Sequence, residues 1–127
     1  MRSWLAVLLV WLALGATDAS ARLHDGDLSK GERIFRTCAG CHSLKPGEKR
    51  VGPSLAGLFG RVAGTAPGFR YSTVLRESDV VWNEETLEAW LANPRKFIPG
   101  NRMAFSGLRK ARWRADLIAF LKKATKP

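Results

Sequence analysis

RTCAGCHSL, residues 36–44, places two cysteines and a histidine within five consecutive positions. The chain has no other cysteine, so Cys38 and Cys41 have to be explained together. A disulfide between them would close a very small ring, and a disulfide stabilises a fold more when it closes a longer loop. The spacing therefore favours chemistry at the two sulfurs over a structural cross-link.

Three chemistries use the C-x-x-C spacing: a redox-active dithiol, half of a zinc site, and covalent attachment of haem. A structural zinc needs about four nitrogen or sulfur ligands, and outside this motif the chain offers only His24. A thioredoxin-like dithiol is typical of a strand-helix-strand setting, whereas the preceding DGDLSKGERIFRT predicts a helix. His42 completes C-x-x-C-H, the attachment signature of c-type haem, and haem is the interpretation that these residues favour.

Met103 is the candidate for a second axial ligand, because the only other methionine is the initiator. A lone methionine is usually a filler of the core. This one follows FIPGNR, an irregular segment opened by Pro99 and Gly100, which favours the ligand. A thioether opposite a histidine raises the reduction potential and fills the open position of the iron, which suits electron transfer and discourages peroxide chemistry.

The first 21 residues, MRSWLAVLLVWLALGATDASA, have the composition of a targeting segment. Arg2 precedes an apolar run at 4–14, and the ASA at 19–21 has the small-x-small form that signal peptidases cut. An apolar run of this length is too short to span a bilayer, which needs about 20 residues. We expect a cleavable signal peptide at 1–21, a mature domain at 22–127 and export to the bacterial periplasm.

The charge of the chain is strongly basic, with 21 Lys and Arg against 11 Asp and Glu. An excess of +10 favours an acidic partner, which could be nucleic acid, an anionic membrane face or an acidic protein surface. Export makes nucleic acid the least suitable of these. We therefore expect acidic protein surfaces as partners and no nucleic acid.

The helical patterns predict an all-α fold. A first helix is expected over 28–37 after an Asp27 cap, and another starts at the Asn83 cap and stops at Asn93-Pro94. The last is expected over 110–124, with a shorter one near 72–77.

Residues 45–71 contain six glycines and three prolines and show no period of helix or strand. A loop of this length is unusual in a small domain. A large apolar cofactor explains it, because the backbone can wrap the cofactor closely where glycine leaves room.

From Gly31 to Lys126 the chain resembles class I cytochromes c, of the mitochondrial and bacterial short-chain kind. The resemblance rests on GERIFRTCAGCH, VGPSLAGLFGR, GTAPGFRYS, VVWNEETLEAWLANPRKFIPGNRMAF and RADLIAFLKKAT, in this order. It implies the all-α cytochrome c fold, with three to five helices wrapped around one covalently attached haem c and long Gly/Pro-rich loops. It also implies an electron-transfer protein of the respiratory chain that is a monomer and not an enzyme.

The resemblance assigns roles to individual residues. Cys38 and Cys41 match the thioether positions, and His42 and Met103 match the axial ligands of the iron. The carbonyl of Pro53 would accept the ring proton of His42 and so orient the ligand.

Five further positions match those that hold the haem propionates: Arg61, Tyr71 and Trp82, with Ser72 and Asn101 as weaker candidates. Two positions depart from the family. Trp90 stands where the family has a tyrosine, and Leu75 stands where it has an asparagine, so we expect a smaller buried polar network beside the distal ligand.

As partners, the resemblance implies the acidic surfaces of redox proteins, with transient contact to membrane complexes. These are a cytochrome bc complex and a terminal oxidase, or a dehydrogenase or a photosynthetic reaction centre. The positions that resemble the family's basic ring around the haem edge are Arg36, Arg95, Lys96, Arg102, Arg109 and Lys110. The rival functions are a haem peroxidase or gas sensor, which needs an open iron site, and a module that binds nucleic acid or lipid through its basic surface.

Overall fold

The structure, a computed structural model, describes residues 25–127. It contains five helices: α1 (Leu28–Phe35), α2 (Thr73–Arg76), α3 (Glu84–Ala92), α4 (Pro94–Phe97) and α5 (Ala111–Ala124). Over this range there is no β-strand, and Val62 and Val81 form one isolated antiparallel bridge. The prediction of an all-α fold with three to five helices is confirmed.

The predicted signal peptide, its cleavage after Ala21 and His24 all lie outside the described residues. Within 25–127, no helix has both the length and the apolar character that are needed to cross a membrane.

Helices α1 and α5 cross at Gly31, and this crossing organises the fold. Asp27 caps α1, and its own backbone N–H donates to Oδ1 of Asp116 in α5 at 2.8 Å. A side chain at position 31 would collide with the carbonyl oxygen of Asp116 and would lie 2.6 Å from Cβ of Phe120. The rings of Phe35 and Phe120 pack together with their centroids 5.4 Å apart. The absence of a side chain at Gly31 thus lets the two helices approach closely.

The C-terminal end of α1 leads directly into the cysteine motif. The helix ends at Phe35, two residues before the predicted end, because the Thr37 N–H donates to the carbonyl three residues back instead of four. Tight turns continue beyond it: the Cys38 N–H donates to Phe35 O at 2.8 Å, and the His42 N–H donates to Cys38 O at 2.9 Å. The position of the motif is therefore set by the α1–α5 crossing.

Asn83 and Asn93 define the boundaries of α3 and α4. The Asn83 side chain forms a capping box with Thr86 at the start of α3, as the sequence predicts for the cap. The predicted stop at Asn93-Pro94 is also present, because α3 ends at Ala92. Helix α4 was not predicted. Proline stops one helix but is equally suited to the first position of the next, and Asn93 caps α4 by accepting the Lys96 N–H at 3.1 Å.

The long segment between α1 and α2, residues 36–72, is irregular, as its glycines and prolines predict. Backbone hydrogen bonds tie it to distant parts of the chain. The Gly60 N–H donates to Trp82 O at 2.8 Å, and the Gly57 N–H donates to Thr125 O at 2.6 Å. The segment is therefore a fixed wall of the fold and not a linker.

Arg114 joins α5 to α3 and to the segment 98–110 between α4 and α5. A cation in the first turn of a helix is disfavoured by the helix dipole. Here Nε of Arg114 pairs with the carboxylate of Glu88 at 2.6 Å, and Nη1 donates to the carbonyls of Leu108 at 2.6 Å and Arg109 at 3.0 Å. These contacts offset the unfavourable position and fix the C-terminal end of that segment.

Replacing Gly31 with alanine should separate α1 from α5. Alanine favours a helix over glycine by about 1 kcal/mol, but the collision with Asp116 and Phe120 forces a backbone shift. Overpacking of this kind costs about 1–3 kcal/mol or more, so denaturant unfolding of the holoprotein should show a net loss of about 2 kcal/mol. Gly40→Ala is the control, because a Cβ there meets no atom within 4 Å. A Gly31→Ala variant as stable as the wild type would contradict this packing.

Candidate functional site

The core of the protein encloses a cavity of about 690 Å³. Its walls come from α1, α2, α3 and α5, from the two irregular segments 36–72 and 98–110, and from Trp82 between α2 and α3. Buried core side chains line it, among them Leu58, Leu75, Trp90, Leu91, Leu117 and Leu121. The volume falls in the range of sites for small molecules and cofactors, which are mostly apolar with a few polar groups.

The cysteine motif lies in the wall of this cavity. Cys38 and Cys41 both line it, and their thiols are free. Cys38 is partly buried and Cys41 is exposed. Burial raises the pKa of the Cys38 thiol, although a hydrogen bond with Thr37 opposes the shift. Both sulfurs are thus placed to bond to the edge of a molecule in the cavity.

His42 is held in a single orientation beside the two sulfurs. Its Nδ1 lies 2.8 Å from the Pro53 carbonyl oxygen, which can only accept, so Nδ1 carries the proton and Nε2 keeps a lone pair. Burial lowers the pKa of His42, while the bond to Pro53 acts in the opposite direction. The ring is therefore kept in the neutral form that ligates metals.

Gly52 also orients His42, and the sequence analysis missed it. A Cβ at position 52 would lie 2.5 Å from Cε1 of the imidazole. The Gly52 N–H donates to Cys41 O at 2.7 Å, which draws the chain across the motif. The glycine directly before Pro53 is the sequence signal for such a close approach.

Met103 reaches the same cavity from segment 98–110. It is partly buried, packs against the core cluster and lines the cavity together with Phe105. Its backbone N–H donates to Oδ1 of Asn101 at 3.0 Å. The fold therefore brings a thioether to the cavity that also holds the imidazole of His42 and the two thiols.

Arg61 and Trp82 supply polar groups to the cavity wall. The guanidinium of Arg61 donates to the carbonyls of Ala56 at 2.8 Å and Ser54 at 3.3 Å. These bonds fix the side chain and use only part of its five donors. Trp82 is buried, and its indole lines the cavity.

Tyr71 and Ser72 add two hydroxyl groups. The Tyr71 hydroxyl accepts the Ala66 N–H at 3.1 Å, which leaves its own proton to donate. Oγ of Ser72 is buried and has no hydrogen-bond partner among residues 25–127. A buried hydroxyl without a partner is costly, so an acceptor in the cavity would satisfy it.

Asn101 also lines the cavity, but its side-chain amide is occupied by the backbone. Nδ2 donates to the carbonyls of Pro94 at 2.9 Å and Ile98 at 2.8 Å, and Oδ1 accepts from Met103. The resemblance implied a propionate contact for Asn101, and these backbone contacts were not predicted.

Trp90 and Leu75 make this side of the cavity apolar. Trp90 packs against Trp82 and Phe97, with ring centroids 5.3 and 6.4 Å apart. Leu75 is buried and lines the cavity. Neither side chain carries an oxygen, and the smaller polar network beside Met103 stays a prediction.

The donor set fits a porphyrin. Two thiols and an imidazole follow one another in the order that covalent attachment requires, and a large apolar space lies beside them. The unpaired Ser72 hydroxyl and the Tyr71 hydroxyl supply donors that suit acidic groups on such a ring. The fold and the site together define a small helical c-type haem protein.

Comparison with known proteins agrees with this class. The family model for cytochrome c matches residues 28–125. The cytochrome c of Chlamydomonas reinhardtii is 57% identical over 102 residues, which are 79% of this chain and 91% of that protein. Those of Sesamum indicum and Gibberella zeae are 51% and 48% identical and cover 79% and 80% of this chain and 92% and 97% of their own length.

The chain belongs to the cytochrome c family. Proteins of this family bind one covalently attached haem c, and Cys38 and Cys41 fit its attachment motif. They transfer electrons to redox partner complexes and are not enzymes.

The predicted export to a bacterial periplasm through a cleavable signal peptide is wrong. The relatives come from algae, plants and fungi and are of the mitochondrial type. The error has a physical cause. A short apolar run beside a base and small residues is weak evidence for export, and the family model, which matches from residue 28, does not extend to it.

Tyr71 is expected to ionise only at unusually high pH. Burial raises its pKa above the ordinary value of 10.0, although the Ala66 N–H and Arg61 oppose the shift. The unfolded chain therefore ionises first. The stabilisation from neutral Tyr71 is complete below pH 10 and is lost as pH rises through the folded-state pKa.

Tyr71 is the only tyrosine, so the ultraviolet absorbance of tyrosinate in the folded protein reports this residue alone. We expect a titration midpoint above 10. Tyr71→Phe should abolish the absorbance change and lose less stability over the same pH range. A midpoint at or below 10 in the folded wild type would contradict the burial of this hydroxyl.

Proposed function

We propose that this cytochrome c carries single electrons between membrane redox complexes, with His42 and Met103 as the axial ligands of the haem iron. The observation that carries the proposal is that one cavity is lined by both thiols, by an imidazole with a free Nε2 and by the only methionine of residues 25–127. When bound, haem supplies a one-electron redox couple whose potential depends on its axial ligands.

His42 and Met103 would both affect the reduction potential of that couple. The bond to Pro53 fixes the His42 ring and increases the basicity of Nε2. A neutral thioether as the second ligand favours a higher potential. With both positions filled by side chains, small molecules have no open site, which argues against the peroxidase and gas-sensor alternatives.

Four side chains are suited to hold the haem propionates: Arg61, Tyr71, Ser72 and Trp82. Arg61 is positively charged and is fixed by two carbonyls. Tyr71 and Ser72 each offer a hydroxyl proton. These donors would keep the acidic groups of the ring inside the protein and away from its exposed edge.

The proposed docking surface is the basic face, which we define as Arg36, Arg95, Lys96, Arg102, Arg109 and Lys110. All six side chains are exposed. Arg102, one of these six residues, also lines the cavity, so the basic face reaches the cavity. An acidic surface of a cytochrome bc complex or a terminal oxidase could therefore dock close to the cofactor. The carrier acts as a monomer in transient complexes.

Replacing Met103 tests the distal ligand. Met103→Leu keeps most of the volume and removes the sulfur, whereas Met103→Ala also opens space. Both variants should retain haem through Cys38 and Cys41, show a lower reduction potential and bind carbon monoxide in the reduced state. Potentiometry and carbon monoxide titration provide the measurements. A Met103→Leu protein with the wild-type potential would assign the distal position to another residue.

Electron transfer to an acidic partner should depend on salt. Charges on an exposed surface are screened within a Debye length of about 8 Å at physiological ionic strength. The bimolecular rate with a purified cytochrome bc complex should fall steeply as salt rises. Lys96→Gln should reduce both the rate and its salt dependence, while Lys126→Gln, outside the basic face, should not. A rate that is flat from low to high salt would exclude electrostatic docking.

A further inference from the structure

The segment that carries Met103 leaves α4 through a tight turn. Pro99 and Gly100 are its central residues, Gly100 has a φ of +88°, and the Asn101 N–H donates to Ile98 O at 3.3 Å. This is the arrangement of a type II turn, in which the third residue needs a positive φ. The turn places Asn101 four residues after the end of α4 and two residues before Met103.

The side chain of Asn101 then makes three hydrogen bonds to the backbone around it. Nδ2 donates to Pro94 O at 2.9 Å and to Ile98 O at 2.8 Å. Oδ1 accepts the Met103 N–H at 3.0 Å. Carbonyls only accept and a backbone N–H only donates, so the orientation of the amide is fixed by its partners.

This arrangement leaves Asn101 no hydrogen for a haem propionate. Both amide hydrogens are donated to carbonyls, and the remaining lone pair on Oδ1 cannot donate to a carboxylate. A propionate contact would require one of the present bonds to break. The contacts of the side chain therefore lead to the Met103 backbone and not to the acidic groups of the ring.

We infer that Asn101 is a positioning residue, which ties the Met103 backbone to the first residue of α4, Pro94, and to Ile98 just beyond that helix, and so holds the thioether at the cavity. The inference rests on the proposed ligation by Met103. The next fixed point after Asn101 in this segment is Leu108, whose backbone N–H donates to Leu91 O at 2.7 Å. Between these two residues the segment has no helix or strand. Without the Asn101 amide, Met103 would have more conformations available and would leave the iron more often.

Two substitutions at Asn101 separate its hydrogen bond with Met103 from its bonds to Pro94 and Ile98. Asn101→Ala removes all three hydrogen bonds. Asn101→Ser keeps an acceptor for the N–H two residues ahead. This chain already uses serine in that way: Ser43 accepts from Lys45 at 3.0 Å, and Ser54 and Ser78 accept from Ala56 and Val80 at 3.2 Å. The serine variant should therefore rescue much of the effect of alanine.

Asn83→Ala is the matched control. It also removes an asparagine side chain that accepts a backbone N–H, from Thr86 at 2.9 Å, but it acts at the start of α3. It should lower the global stability in denaturant without releasing Met103. The free energy of unfolding is measured for both alanine variants. If both lose stability but only Asn101→Ala releases Met103, the effect of Asn101 is positioning and not general destabilisation.

The test uses the folded holoproteins and two spectroscopic readouts. In the oxidised state, the Met-to-iron charge-transfer band should be strong in the wild type, weaker in Asn101→Ala and largely restored in Asn101→Ser. In the reduced state, carbon monoxide should bind about tenfold more tightly to Asn101→Ala than to the wild type. This is the factor expected for the loss of the one hydrogen bond that the Asn101 side chain accepts from Met103. Asn83→Ala should match the wild type in both.

Three results would overturn the inference. Asn101→Ala could keep the full band and the wild-type affinity for carbon monoxide. Asn83→Ala could weaken the band as much as Asn101→Ala does. Asn101→Ala could keep the band and instead change the pH dependence of the potential, which would assign Asn101 to the propionates. Absence of the band from the wild type is a different failure, because it would reject Met103 as the ligand.

Discussion

The core of this protein surrounds a cavity of about 690 Å³ and does not close on itself. The side chains that would normally pack against one another, such as Leu58, Leu91 and Leu117, all border this space. A small domain has little apolar surface to spare, and a large void forfeits the dispersion contacts of the residues around it. Haem held by Cys38 and Cys41 would pack against these side chains, so we expect the fold to depend on it.

The rest of the architecture serves to place groups around that centre. The crossing of α1 and α5 at Gly31 fixes where α1 lies, and the cysteine motif follows the end of that helix at once. The irregular segment 36–72 passes across it and brings Pro53 to the imidazole of His42. From the other end of the chain, Arg114 and Asn101 fix the two ends of the segment that carries Met103. A change at any of these anchors would act on the site through the placement of its residues.

Local patterns in the sequence predicted much of this arrangement. The C-x-x-C-H motif and the caps at Asp27 and Asn83 depend on residues within a few positions of one another, so they are visible without a structure. Helix α4 was missed because Asn-Pro ends one helix and begins another with the same residues.

Long-range geometry could not be predicted in this way. The glycine before Pro53 signals a close approach of the backbone but does not show that His42 is its neighbour. Nothing near Asn101 shows that its amide bonds to Pro94, Ile98 and Met103. Such roles depend on where distant segments meet. The prediction of export was wrong for a different reason, because it rested on the pattern of residues 1–21 alone, whereas the relatives that match the rest of the chain are of the mitochondrial type.

The most direct test of this account is the folding of the chain without its cofactor. Circular dichroism during denaturant unfolding should be recorded for the holoprotein and for a Cys38→Ala/Cys41→Ala double variant freed of porphyrin. The account predicts that the haem-free chain loses most of its helical signal and has no cooperative transition, because the walls of the cavity have nothing to pack against. A haem-free chain with the helical content and cooperative unfolding of the holoprotein would show that the core is complete without haem and would contradict the account.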